Sequence, residues 1–233
     1  MVLGVLAGNT IAGERVSLLQ FGGAPVAWHK STAADTRDLT LTFAVLPEQT
    51  TLEAGANCGT LGGVQNLQER STLHHGAIDE AIAVALGRWQ DAAPLGFKRI
   101  ADPAAADIVI GTQTRPKGIA FVDLLTRAVA AGPGQAIRKA FVCLNPEQKW
   151  KLGFDGVLTS YDLVHVLTHE FGHVLGLDHP SARGHVMSFK YTETQQGLSN
   201  LDRISIQSIY GSRKPRAITL TGAMELRTIA NGR

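Results

Sequence analysis

Charge of one sign, long apolar runs and cysteine are all scarce in this chain of 233 residues, and each scarcity removes a class of function. Lys and Arg number 22 against 20 Asp and Glu, a net charge of +2, and the basic residues are scattered. Nothing in that pattern points to nucleic acid or to an anionic membrane surface. No apolar run approaches the ~20 residues that cross a bilayer, and no segment recurs at a fixed period. The cysteines are Cys58 and Cys143, without a Cys-x-x-Cys spacing, so a cysteine-built zinc site is not supported. They could form one disulfide in an oxidising compartment or both be free. Met1-Val2-Leu3-Gly4 brings no positive charge ahead of a long apolar core and does not read as a secretory leader. With 44% hydrophobic and 18% charged residues, the composition is that of a folded domain with a sizeable core.

What is present is concentrated between residues 169 and 187. The stretch His169-Glu170-Phe171-Gly172-His173-Val174-Leu175-Gly176-Leu177-Asp178-His179 is followed by Met187. Two histidines four apart on a helix lie about one turn from each other and project from one face. Gly176, three residues past His173, is a natural place to stop the helix in a left-handed conformation that other residues resist. The chain can then turn back and bring His179 in as a third ligand. Three nitrogens plus a water make the open tetrahedral set of catalytic zinc. Glu170, beside the first histidine, can take a proton from that water and later pass it on.

Around this stretch the chain reads as strands alternating with helices. Residues 1–27 are rich in Gly and Ala, with short apolar patches at 2–6 and 16–21. A pro-region remnant, a truncated leader and an added strand all fit them. Residues 39–46 alternate and end at Pro47, which predicts a strand. Residues 48–70 are polar and contain glycine, as a long loop would. A helix is expected from Ser71 or Thr72 to about Asp91, with Ala77, Ile78, Ala81, Ile82, Ala85, Leu86 and Trp89 as its apolar stripe. His74-His75 reads as its exposed end rather than as a metal site. Residues 97–100 and 107–111 predict two strands, the second buried. Residues 118–124 and 139–144 predict two more, across a Gly132-Pro133-Gly134 loop. Ser160 or Asp162 can cap the histidine-bearing helix, and residues 198–211 predict a last one. His165 reads as structural and His185 as a rim residue. Asp123 and Asp155 are acids that could serve calcium, but neither belongs to an Asp-x-Asp pattern.

The pattern H-E-x-x-H-x-x-G-x-x-H with a later methionine resembles the metzincin signature of zinc endopeptidases. A chance match at a given start is rarer than about one in a million. Within the metzincins the chain is similar to the matrixins from about Trp28 to Gly211. The likeness runs through a strand, a long helix ending in Trp89, Pro94-Leu95-Gly96-Phe97-Lys98-Arg99-Ile100, Ala106-Asp107-Ile108-Val109-Ile110, and Ile206-Gln207-Ser208 with Tyr210-Gly211. The resemblance implies an α+β, zincin-like catalytic domain: a twisted mixed five-stranded sheet, long helices, and the active-site helix beneath a cleft along one sheet edge. Residues 28–211 would be that domain, 1–27 an N-terminal segment of unclear role and 212–233 a C-terminal tail. One of the strands at 118–124 and 139–144 would be the edge that pairs with an extended substrate.

By the same resemblance, His169, His173 and His179 hold one catalytic Zn²⁺, Glu170 is catalytic, Met187 forms the structural Met-turn and Tyr191 is a wall of the S1′ substrate pocket. Pro180 after His179 is as in serralysins, but Phe189 stands where those enzymes place a tyrosine that reaches the metal. Residues 111–150 contain no histidine, so the second, structural zinc of vertebrate matrixins is not supported. Ca²⁺ is compatible with the family but has no clear motif. Leu201 replaces the first of two family aspartates and Asp202 matches the second. Cys58 shares a Cys-Gly pair with the zinc-capping cysteine of matrixin zymogens, but it follows the first strand, whereas that cysteine precedes the catalytic domain. The expected function is zinc-dependent hydrolysis of peptide bonds within proteins or peptides, by a secreted or extracellular monomer with no nucleic-acid partner and no membrane span. Two rivals are a restricted metzincin aminopeptidase, unable to cut end-blocked peptides, and a catalytically silent zinc-binding interaction domain, indifferent to Glu170→Ala.

Overall fold

Runs of β-branched and aliphatic residues meet in one mixed sheet, seen here in a computed structural model. The structure describes residues 10–11, 14–29, 38–48, 50–129 and 134–213; the patch at 2–6, Gly132-Pro133 and the tail beyond 213 lie outside the described residues. In chain order come β1 (Thr10–Ile11), β2 (Glu14–Arg15), β3 (Gln20–Phe21), β4 (Ala24–Ala27), β5 (Leu39–Val45), β6 (Leu52–Glu53) and β7 (Thr60–Gly62). A 3-10 turn at Val64–Gln68 precedes α1 (Ala77–Ala92). Then follow β8 (Leu95–Arg99), β9 (Ile108–Gln113), β10 (Ala120–Ala128), β11 (Gln135–Leu144), β12 (Trp150–Lys151), β13 (Tyr161–Asp162), α2 (Leu163–Val174) and α3 (Asn200–Tyr210).

The sheet centre is β8-β5-β9-β11, all parallel, closed on one side by β10, which runs antiparallel to β11. This is the five-stranded mixed sheet expected, enlarged by short pieces. β4 pairs in parallel with the start of β11, and the β6–β7 hairpin continues past β5 along the far end of β9. Among the described residues β10 pairs only with β11, so its outer edge carries unpaired backbone groups. β9 is buried throughout, as its apolar run predicts. Its Ile108 and Ile110 face the helices, while Val109 joins Leu61, Phe141 and Cys143 under the hairpin. On the helical side every residue of the α1 stripe is buried. Trp89 ties the two long helices by donating from Nε1 to the Thr168 carbonyl at 2.9 Å.

Two expectations change and one open alternative closes. α1 begins at Ala77, because Gly76 breaks the turn at φ 87° and the Ser71 hydroxyl is spent accepting from the Trp150 amide at 3.0 Å. His74 and His75 therefore stand exposed ahead of the helix. Residues 48–70 are not one loop: they hold β6, β7 and the 3-10 turn, and β7 is fixed by distant β9. Cys58 and Cys143 are joined in a disulfide, which resolves the open alternative and leaves Cys58 unable to cap a metal.

Candidate active site

α2 starts at Asp162, whose carboxylate accepts from the His165 amide at 2.6 Å; of the two caps expected, this is the one used. Leu163, Val166, Leu167, Phe171 and Val174 bury one face, which turns His169 and His173 toward the cleft. The helix ends in a Schellman arrangement: Gly176 N–H donates to the His173 carbonyl at 3.0 Å and Leu177 N–H to that of Gly172 at 2.9 Å. Gly176 sits at φ 93°, and a Cβ there would come within 2.3 Å of the Val26 carbonyl oxygen. Glycine is thus required twice, by the turn and by the close approach. Past it the chain doubles back and delivers His179.

The three imidazoles converge. Nε2 of His169 lies 3.1 Å from Nε2 of both His173 and His179, and the last two are 3.2 Å apart. His169 Nδ1 sits 2.7 Å from the Val186 carbonyl and His173 Nδ1 2.8 Å from that of Leu177. A carbonyl only accepts, so both Nδ1 atoms carry the proton and both Nε2 lone pairs face the common centre. Lone pairs held this close repel unless a cation lies between them. Tetrahedral ligands at ~2.0–2.1 Å from zinc are themselves about 3.3 Å apart, so the spacing suits that ion. Burial lowers the pKa of all three histidines, that of His173 to about 4, and so keeps them in the neutral form that binds metal. Among the described residues this is the one group of three potential ligands drawn together.

Behind the three imidazoles lies a chain of support that ends in α3. Ser199 and Asp202 form a reciprocal capping box at its start. Asp202 also accepts from the amides of Val186 and Met187, at 3.1 and 3.2 Å. That fixes the turn whose Val186 carbonyl holds His169. Met187 is buried directly under α2: a Cβ on Gly172 would fall 2.1 Å from its sulfur. Leu201, next to Asp202, is buried.

Glu170 is buried yet lines the same cleft as the three histidines, and burial pushes its carboxyl up to about 8. The cleft has a volume of about 920 Å³. Opposite α2 its wall is β10 with the tip of the β6–β7 hairpin, Gly55, Ala56 and Asn57; Leu19 and Phe21 complete it. Tyr191 also lines it, with its ring edge-on to Tyr161 and His165. Its hydroxyl accepts from the Asp162 amide at 2.9 Å and donates to Glu193 at 2.8 Å. Glu193 pairs in turn with Lys151 at 2.6 Å.

The other residues singled out by sequence find protein partners. Asp123 accepts from Asn57 N, Asn57 Nδ2 and Cys58 N, and Asp155 pairs with Lys151. His165 is buried and lines the cleft beyond the ligands. His185 sits off it, with Nδ1 2.8 Å from the Ser199 hydroxyl. Phe189 stands exposed, its ring edge-on to His179 at 5.2 Å between centroids. Sequence reasoning missed Leu19, Phe21, the hairpin tip and the Lys151–Glu193 pair. The apolar patch at 16–21 was the one available signal for the first two.

The sequence profile of the matrixin family matches residues 64–211. The chain belongs to the matrixins. It is 34% identical to matrilysin of Mus musculus over 151 residues, which are 61% of this chain and 54% of that protein. It is 33% identical to matrix metalloproteinase-20 of Homo sapiens over 145 residues, 59% of this chain and 28% of the relative. To karilysin of Tannerella forsythia it is 26% identical over 138 residues, 57% of this chain and 28% of the relative. The chain thus spans about half the length, or less, of the curated relatives it matches. Matrixins are zinc metalloendopeptidases, and the donor set described above fits zinc. No helix among the described residues is long and apolar enough to cross a membrane.

Proposed function

We propose that this matrixin is a zinc-dependent endopeptidase that cuts within proteins or peptides, with His169, His173 and His179 as metal ligands and Glu170 as the catalytic acid–base. One observation carries the reading: three convergent Nε2 lone pairs and a buried carboxyl share one cleft with a free sheet edge. Zinc, when bound, lowers the pKa of a water and polarises a carbonyl. Glu170 accepts the proton of the attacking water and returns it to the leaving amine. Burial raises its carboxyl to about 8, which suits the return of the proton, and a cation held by the three histidines would draw it back toward the ionised form that accepts one. β10 holds an extended peptide by backbone pairing, which selects weakly among side chains. Tyr191 walls the pocket for the side chain just past the cut bond, and Met187 floors the metal site.

The catalytic domain, residues 28–211, acts as a monomer outside the cell; the Cys58–Cys143 disulfide suits an oxidising compartment. The test is zinc content together with cleavage of end-blocked, quenched fluorescent peptides, for wild type and Glu170→Ala. Zinc near one per chain, with cleavage that the substitution abolishes, is the expected result. Cleavage confined to peptides with a free amino terminus would make the enzyme an aminopeptidase. Bound zinc without cleavage in either protein would leave an interaction domain. A folded chain that takes up no zinc would overturn the metal centre itself.

A further inference from the structure

The last carbonyls of a helix have no partner within it, and α2 ends one residue past His173, so its last carbonyls and the loop that follows lead to His179. Their donors account for every carbonyl from Gly172 to Leu177. Gly172 and His173 are satisfied by the Schellman bonds, and Leu177 by His173 Nδ1 at 2.8 Å. Val174 receives Trp28 Nε1 at 2.8 Å, and Leu175 the Tyr210 hydroxyl at 3.0 Å, which itself accepts from the Trp28 amide. Gly176 receives the Leu19 amide at 2.9 Å. One residue on, the Asp178 amide donates to the Ser17 carbonyl at 3.0 Å, which makes Leu18 and Leu177 a single antiparallel bridge. The segment then turns at Gly22-Gly23, and Val26 N–H returns to the Leu19 carbonyl at 3.0 Å. Leu18 and Leu19 pack on the main core, and Leu19 and Phe21 line the cleft.

We propose that Ser17–Phe21 is a working strap of the catalytic unit: its backbone positions the loop that delivers His179, and Leu19 and Phe21 form the cleft wall at that end. The loop at 176–178 is bracketed by strap bonds on both sides, while its remaining backbone bonds run back to α2 itself, so the strap is its tie to the rest of the sheet side. Of the three origins that fit residues 1–27, the added strand is the one this geometry selects for the part from Ser17 onward. Any maturation cut compatible with activity then falls on the N-terminal side of Ser17. Leu19 and Phe21 present carbon surface, so they meet an apolar part of the substrate.

The strap rests on the zinc-site reading but not on peptidase activity, and its test is metal retention. Leu19→Pro removes the N–H that holds Gly176, whereas Leu19→Ala keeps that bond and strips the wall. In the full chain, Leu19→Pro is expected to release zinc to a competing chelator about tenfold faster or more, the scale of losing a group that orients a ligand. Leu19→Ala should hold zinc within about twofold of wild type by the same measure, while its KM for an end-blocked peptide with apolar residues rises. A Leu19→Pro chain that holds zinc like wild type overturns the strap and leaves the metal centre standing. If that variant does not fold, linkage supplies the test on the unaltered chain. A strap that positions the metal loop must itself be stabilised by the metal. Hydrogen exchange at the Leu19 and Asp178 amides should therefore slow on zinc loading, and unchanged exchange at Leu19 would sink the proposal.

Discussion

The helix wall of the cleft presents side-chain nitrogens held 3.1–3.2 Å apart, whereas the strand wall presents the backbone groups of β10. The supports differ in the same way. His173 is oriented by Leu177, His169 by Val186, and Val186 by Asp202, all within one stretch from α2 to α3. The strand wall depends on distant segments. A disulfide spans 85 residues, and the Asp123 carboxylate takes three N–H bonds from the hairpin tip at Asn57 and Cys58. The hairpin lies so close that a Cβ on Gly55 would meet the Asp123 carboxyl carbon at 2.5 Å. His169 and His173 are thus held by groups near them in sequence, with Ser17–Phe21 as a remote support at the loop before His179, whereas the strand wall is assembled mainly from remote parts of the chain.

The largest effects should come from the helix wall. His173→Ala removes one of three nitrogens and the proton that holds the Leu177 carbonyl; zinc content is expected to collapse and cleavage with it, as elemental analysis and peptide assay will show. Glu170→Gln keeps every ligand. It should retain zinc and lose about 10²- to 10⁴-fold in kcat, the usual worth of a positioned acid–base. Near-normal turnover in the Gln variant would mean that the buried carboxyl is not the proton carrier.

The strand wall should fail in another manner. Replacing both Cys58 and Cys143 by serine is expected to cost about 4–5 kcal/mol in urea unfolding, given the length of the closed loop. Zinc should stay bound while KM rises more than kcat falls. Zinc loss in the double variant would show that the two walls are not independent. Gly172→Ala asks the reverse question of the helix wall. The added Cβ meets Met187 at the sulfur and Trp89 at 3.1 Å, so stability should drop by about 1–3 kcal/mol as in other overpacked cores. Because Met187 lies under the ligands, kcat should fall while KM for a peptide held on β10 stays near its wild-type value.

The same division decided how much could be read from sequence. His169, His173, Gly176, His179 and Met187 lie within nineteen residues, where helical spacing and one glycine suffice to bring them together. The α1 stripe and the buried β9 were legible because one period or one apolar run defines each. β6 and β7 were not: they are two and three residues long with one leucine each, too short to show a period, and β7 becomes a strand by pairing with β9. The start of α1 was misjudged because Ser71, a good local cap, is claimed by Trp150 from across the fold. For Asp123 the charge was visible but not its purpose, since both of its partners lie in the hairpin. The cysteine pairing could not be decided from a count of two, and only the register of β11 beside the hairpin settles it.

The smallest predicted effect lies where a side-chain network does the long-range work. Glu193 accepts from Lys151 at 2.6 Å, from the Tyr191 hydroxyl and from the amides of Asp155 and Gly156, so it clips the loop of Tyr191 to residues 151–156. Burial pulls its pKa upward, but the hydrogen bonds from Lys151, Gly156 and Tyr191 prevail and hold it below the ordinary value. Asp155 is lowered likewise, chiefly by its bond from Lys151. A carboxyl with a lower pKa folded than unfolded binds fewer protons in the folded state. Its contribution is therefore present above the unfolded pKa and lost as pH falls through the folded one. The thermal midpoint of Glu193→Gln should then lie slightly below wild type at neutral pH and converge on it in acid, with zinc content the same in both. A constant gap across the whole acid range would mean that the carboxylate fills space at this joint without contributing charge, and that the Tyr191 loop is held by packing alone.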